Sequence, residues 1–152
     1  MTNRIFLFAI VPLLLLTGCA IFGESDDDDL SEVAQRQRQW QRLGIDAYEY
    51  DLTILCFCAH IDPVRVQVRA DTVFSAFDPE TGEIVEEPYR VRTIDELFDI
   101  IVDAEAREAD RLEVEYDEVF GFPAHIYVDY RFNLADEERT FVAENFRSLR
   151  GD

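Results

Sequence analysis

Residues 111–130 read RLEVEYDEVFGFPAHIYVDY, and their alternation decides the fold. Leu112, Val114 and Tyr116 alternate with Glu113, Glu115 and Asp117; Ala124, Ile126, Val128 and Tyr130 alternate with His125, Tyr127 and Asp129. Two period-2 runs around a Gly-Phe-Pro turn predict an antiparallel hairpin with one apolar face. Gly121 tolerates positive φ, and Pro123 opens a strand without needing an N–H. Glu113, Glu115 and Asp117 fall on the polar face. General acid–base chemistry needs carboxylates in contrasting environments, so this row reads as a solvated face. Asp117 and Asp129 flank the turn and are expected to accept hydrogen bonds from its backbone N–H groups.

On the N-terminal side, Thr93 and Glu96 form a capping box ahead of Ile94, Leu97, Phe98, Ile101 and Ala104, which predicts a helix to about Ala106. On the C-terminal side a polar turn over 133–138 precedes a last strand, Thr140 to about Phe146. The first half has the same order. Ser31 caps a helix to Leu43 closed by Gly44, with Val33, Trp40 and Leu43 on one side. A strand follows over Ala47 to Cys58, with Tyr48, Tyr50, Leu52, Ile54, Cys56 and Cys58 on one face. Next come Val64 to Arg69, a two-residue turn at Ala70-Asp71, Thr72 to Phe77, and an irregular loop holding Pro79, Gly82 and Pro88. A helix and three strands, twice over, suggest two pseudo-repeats. The expected class is α+β, an antiparallel-dominated sheet with two helices packed on one face.

The N-terminus speaks to location. Arg4 precedes an apolar run from Ile5 to Leu16, too short to span a bilayer, and Leu16-Thr17-Gly18-Cys19 follows. The run reads as a signal peptide over 1–18. Its end resembles the lipobox of bacterial lipoprotein signal peptides, in which the cysteine thiol takes a diacylglyceryl group. That resemblance implies lipidation of Cys19, with two or three acyl chains such as palmitate, enough for stable anchoring in a membrane. Ala20 is not the retention-type aspartate, which favours the periplasmic face of the outer membrane in a two-membrane bacterium, or otherwise the outer face of the cell membrane. Residues 19–29, ending in Asp26-Asp27-Asp28-Asp29, read as an acidic tether, and 30–150 as a single globular domain.

The formal net charge is −19, and all 14 basic residues are arginine. So acidic a body is repelled by phosphate backbones, which argues against nucleic acid as a partner. Arg36, Arg38 and Arg42 on the first helix form the one dense basic patch, expected to pair with the chain's own carboxylates.

Cys56 and Cys58 carry the one obvious chemical option. Exported cysteines usually oxidise, and lipidation of Cys19 leaves these two as a pair. Residues two apart on a strand are about 6.6 Å apart, whereas bridged Cβ atoms lie about 3.8 Å apart, so a disulfide needs a bend between them. Structural disulfide, buried free thiols and redox pair all stay open. Cys56, Cys58 and His60 on one straight strand would span about 13 Å, too far for one metal ion unless the chain folds back. His125 is on the far hairpin. No Ser-His-Asp spacing, phosphate-binding glycine loop or dinucleotide fingerprint is present, so no catalytic residue, metal site or cofactor is expected.

Trp40, Leu43-Gly44, Tyr48, Tyr50, Cys56-Phe57-Cys58, Val66, Val68, Thr93 to Phe98, Tyr116-Asp117, Gly121-Phe122-Pro123, Ile126 and Asp129 together resemble the bacterial domain-of-unknown-function family 6174 of secreted proteins and lipoproteins. The resemblance covers Leu30 to Leu149. Asp71 stands where that pattern usually has glycine, a position aspartate also tolerates. The resemblance implies a compact exported domain and no particular chemistry. The functional expectation is therefore a membrane-anchored, non-catalytic module that binds, inhibits or assists a protein partner through a sheet face or edge. The alternative is an envelope thiol-redox or metal-handling protein using Cys56 and Cys58.

Overall fold

A computed structural model describes residues 31–56, 62–133 and 137–149. The order is α1 (Glu32–Leu43), β1 (Ala47–Leu55), β2 (Val64–Arg69), β3 (Thr72–Phe77), α2 (Ile94–Ala106), β4 (Arg111–Tyr116), β5 (Pro123–Asp129) and β6 (Arg139–Ser148). The fold is α+β, a helix followed by three strands in each half. All six strands form one antiparallel sheet in the order β3-β2-β1-β6-β5-β4. Each half lays its three strands beside one another, and the halves join where β1 pairs with β6 at the centre.

Local chemistry sets the ends of these elements. The Ser31 hydroxyl accepts from the Ala34 N–H, and Gly44 closes α1 in the left-handed conformation at φ 57°. Leu43 does not join the buried side of α1 but is 38% exposed. It lies three residues beyond Trp40, about 60° round the helix, and so turns off the apolar stripe. At the head of α2 the Thr93 side chain accepts from the Glu96 N–H, and the Glu96 carboxylate accepts from the Thr93 N–H. Ala70 and Asp71 both take positive φ, 48° and 57°, as a two-residue turn with the twist of its strands requires.

The core is built from the apolar face of the alternation. Tyr48, Tyr50 and Leu52 of β1, Val64, Val66 and Val68 of β2, and Ile126 and Val128 of β5 are all buried, as are Ile94, Leu97, Phe98 and Ile101 of α2. Each such side chain contributes about 1.5–3 kcal/mol when fully buried. Trp40 of α1 meets the Tyr48 ring edge-on at 5.4 Å, Phe146 at 5.7 Å and Phe122 at 6.1 Å. From α2, the Ile94 N–H donates to the Tyr48 hydroxyl at 2.9 Å, and the Tyr50 hydroxyl donates to the Arg92 carbonyl at 2.6 Å. Both helices thus reach the same tyrosine of the central strand.

Candidate functional site

In β1 the sequence Tyr48-Glu49-Tyr50-Asp51-Leu52 sends tyrosines and leucine into the core and two carboxylates to the opposite face. Glu49 and Asp51 are each only 7% exposed. Carboxylates so dry need charge and hydrogen-bond partners, and neighbouring strands supply them. Arg65 of β2 grips Asp51 with two bonds of 2.7 Å, Nε to Oδ1 and Nη2 to Oδ2. Asn145 of β6 donates to Asp51 Oδ2 at 2.9 Å. Arg147 donates to Glu49 Oε1 at 2.8 Å, and Gln67 donates to Glu49 Oε2 at 3.0 Å while accepting from Ser75 at 2.8 Å.

The β1–β6 register makes this lattice. Glu49 faces Arg147, yet Asp51 faces Glu144, so β6 carries an extra residue. Asn145 sits in that bulge at φ 55° and turns its amide onto Asp51. The Arg65 guanidinium holds the Asp51 carboxyl below the usual carboxylate range, with Asn145 adding to the effect, and Asp51 in turn raises Arg65. The lattice reaches water through Arg147, whose side chain is 68% exposed. Its carboxylates are held as acceptors by neighbouring side chains, and it presents an ordered polar surface.

The hairpin turn is organised by Asp117. Its Oδ1 accepts from the N–H groups of Val119 at 2.9 Å and Phe120 at 2.7 Å, while its backbone exchanges bonds with Gly121 and Phe122. Gly121 has φ 78°, and a Cβ there would come within 2.7 Å of Gln39 Cδ. Pro123 opens β5 opposite Tyr116. Asp129 serves a different turn from the one expected: its Oδ1 accepts from the Arg131 N–H at 3.1 Å, beyond the far end of β5. It lies six positions beyond Pro123 along extended chain, too great a span for one side chain.

Glu113 is paired with Arg111 at 2.6 Å, and Glu115 is exposed on β4, as a solvated face requires. In the basic patch, Arg36 lies 3.8 Å from Glu32 and over the Tyr116 ring at 5.2 Å. Cys56 sits half-buried in a bend after β1, which ends at Leu55 and not at Cys58. Leu55, opposite Thr140, is the last described β1 residue paired to β6. Cys58 and His60 lie outside the described residues, and among those described no group of histidine, cysteine and acidic side chains could hold a metal ion.

The sequence reading missed the Glu49–Asp51 lattice. Its signal was present in the polar half of the Tyr-Glu-Tyr-Asp alternation, on a strand otherwise apolar enough to be central. A second missed feature is a hollow of about 400 Å³ floored by Trp40 and edged by Asp46, Asp71 and Asp95. There the Trp40 indole donates to Asp95, whose carboxyl is nevertheless pushed up, chiefly by burial.

Compared with known protein families, residues 32–148 match the Family of unknown function (DUF6174). The chain belongs to that family. The DUF6174 match begins at the first residue of α1 and ends at the last residue of β6, so it takes in both halves of the sheet, the carboxylate lattice and the Asp117 turn. No match is found among curated proteins or among solved structures.

Proposed function

We propose that this DUF6174 chain is a lipid-anchored protein of the bacterial cell envelope, and that its role is to bind a protein partner rather than to catalyse a reaction. The observation that carries the binding reading is the sheet face bearing Glu49 and Asp51. Five side chains from three strands hold the two carboxylates in place, directly or through Gln67, and the outermost reaches solvent. Such a face is ordered before a partner arrives and loses little side-chain freedom on contact. The anchoring reading is supported by the apolar run Ile5 to Leu16 and by Leu16-Thr17-Gly18-Cys19. With Ala20 next, the proposed address is the outer membrane where there are two membranes.

A Cys56–Cys58 disulfide belongs to the same proposal. It is supported by the proposed export to an oxidising compartment and by the bend at Cys56 directly after β1, since two cysteines so close in sequence can bond only where the strand bends. Here it acts as a clamp at the end of β1. Two measurements test the proposal. Cys19→Ala is expected to move the protein from the membrane fraction to the soluble fraction; continued membrane association would remove the anchor. Intact-mass spectrometry after alkylation is expected to show labelling at Cys56 and Cys58 only after reduction. Labelling without reductant, with rapid dithiol exchange, would instead favour the thiol-redox or metal-handling reading.

A further inference from the structure

The two edges of the sheet differ in chemistry. β4 presents Arg111, Glu113 and Glu115, charges that discourage another chain from docking there. β3, Thr-Val-Phe-Ser-Ala-Phe, carries no charge at all. A register shift opposite Gln67 and Val68 adds a residue to β3 at Phe74, which is 62% exposed, its ring faced by the Arg69 guanidinium at 4.1 Å. The chain then returns along the outer side of β3. Phe77 bridges to Ile84, and the Val85 N–H donates to the Ala76 carbonyl at 2.9 Å.

Between β3 and residues 84–91 lies a groove of about 440 Å³ with walls that include Val73, Ala76, Val85 and Val91. Ile84, 79% exposed, stands at its lip, and Tyr89, 59% exposed, lies in the same segment. Of the eight large apolar side chains left exposed among the described residues, Phe74, Ile84 and Tyr89 belong to this one corner. Apolar surface gathered in this way on a soluble face marks a docking site.

The rim tells what docks. Glu86 and Glu87 line the groove, and among the described residues neither has an ion-pair partner. Glu80 and Glu83 are exposed in the same loop, while Arg90 is engaged with the Asp62 carbonyl at 3.1 Å. A second copy of the chain would bring Glu86 and Glu87 against their own counterparts in a protein of net charge −19, and an anionic lipid surface would be repelled equally. An apolar groove with a free carboxylate rim complements an apolar segment flanked by cations. We propose that the groove between β3 and residues 84–91 receives an apolar segment of a protein partner flanked by arginine or lysine. This rests on the binding reading above and adds to the lattice face a second surface, at the β3 edge, with a stated partner chemistry.

The probe is a fluorescein-labelled peptide with a run of leucines flanked on both sides by arginines, titrated with the intact protein and followed by anisotropy. Two groove variants are used, Ile84→Ser and the double variant Glu86→Arg with Glu87→Arg, all at exposed positions that the fold does not need. Each is expected to weaken binding about tenfold or more, a loss of about 1.4 kcal/mol. Glu113→Arg with Glu115→Arg makes the same charge change on β4 and is expected to leave binding within about twofold. Equal losses from the β4 and groove variants would reduce the effect to general charge attraction and overturn the proposal. So would equal binding of a peptide with serine in place of leucine, or no binding at all. Sedimentation showing a dimer that Ile84→Ser dissolves would make a second copy the occupant and overturn it too. Capture from envelopes separates the two readings. A partner held equally by the groove variants and the unaltered protein removes the groove but leaves a binding module, whereas a chain that captures nothing removes both.

Discussion

Replacing Tyr48 by Phe deletes one oxygen from the point where the central strand meets α2. That oxygen accepts the Ile94 N–H at 2.9 Å, and both residues are fully buried. Thr93 satisfies the Glu96 N–H and Glu96 satisfies the Thr93 N–H, so the capping box leaves Ile94 to Tyr48. Without the hydroxyl the Ile94 donor is left dry, at a cost of about 1–3 kcal/mol. A central value of about 2 kcal/mol, with a urea m-value of about 2 kcal/mol per molar, lowers the unfolding midpoint by about 1 M at unchanged slope. Tyr50→Phe supplies the comparison. It removes a donor to the Arg92 carbonyl, and Arg92 is half-exposed, so water can replace part of the loss and the expected cost is about 1 kcal/mol. The double variant should cost less than the two single losses added, because both hydroxyls hold the same entry into α2. A Tyr48→Phe protein within about 0.5 kcal/mol of the unaltered one, or more stable than Tyr50→Phe, would refute the reasoning.

The same tyrosines set the alkaline limit. Burial pushes the Tyr48 and Tyr50 phenols well up, and Tyr116 to about 12. Their contribution is complete below the unfolded value of about 10 and is lost as pH rises towards the folded values, about 1.4 kcal/mol per pH unit for each fully buried ring. Urea midpoints taken up the alkaline limb should show Tyr48→Phe flattening that slope. At the acid end Asp51, lowered chiefly by Arg65, contributes stability above about pH 3.9 that disappears as pH falls through its depressed folded value. Asp51→Asn should therefore cost about 2 kcal/mol at neutral pH, less than for a wholly buried pair because Arg65 is 32% exposed, and should weaken the acid dependence in urea titrations. Asp117→Ala should cost about 1 kcal/mol and speed hydrogen exchange at the Phe120 N–H, while Asp117→Asn, which keeps one acceptor oxygen, should do less of both.

Much of this fold is legible where the physics is local. The hairpin around Gly121 follows from period-2 alternation, the head of α2 from a capping box three residues wide, and the end of α1 from one glycine. What is not legible depends on register between distant strands. Alternation places Glu49 and Asp51 opposite the apolar face of β1. That Arg65 and Arg147 arrive beside them, 14 and 98 residues along the chain, depends on the β1–β2 and β1–β6 pairings and on the bulge at Asn145. Asp129 follows the same rule: it is near the Gly-Phe-Pro turn in sequence but not in space, because β5 carries it to the other end of the hairpin. The groove beside β3 shows in sequence only as an uncharged strand in an acidic chain, because its second wall comes from a loop without periodicity.

The most direct measurement is photo-crosslinking in intact envelopes, with a photoreactive residue placed in turn at Glu144 on the lattice face, at Phe74 beside the groove, and at Val102 on the exposed side of α2. The proposed binding role predicts a discrete protein adduct from Glu144 or Phe74 and none from Val102. Adducts of equal yield from all three positions, or none from any of them in either growth phase, would contradict a protein that acts by presenting its sheet to a partner.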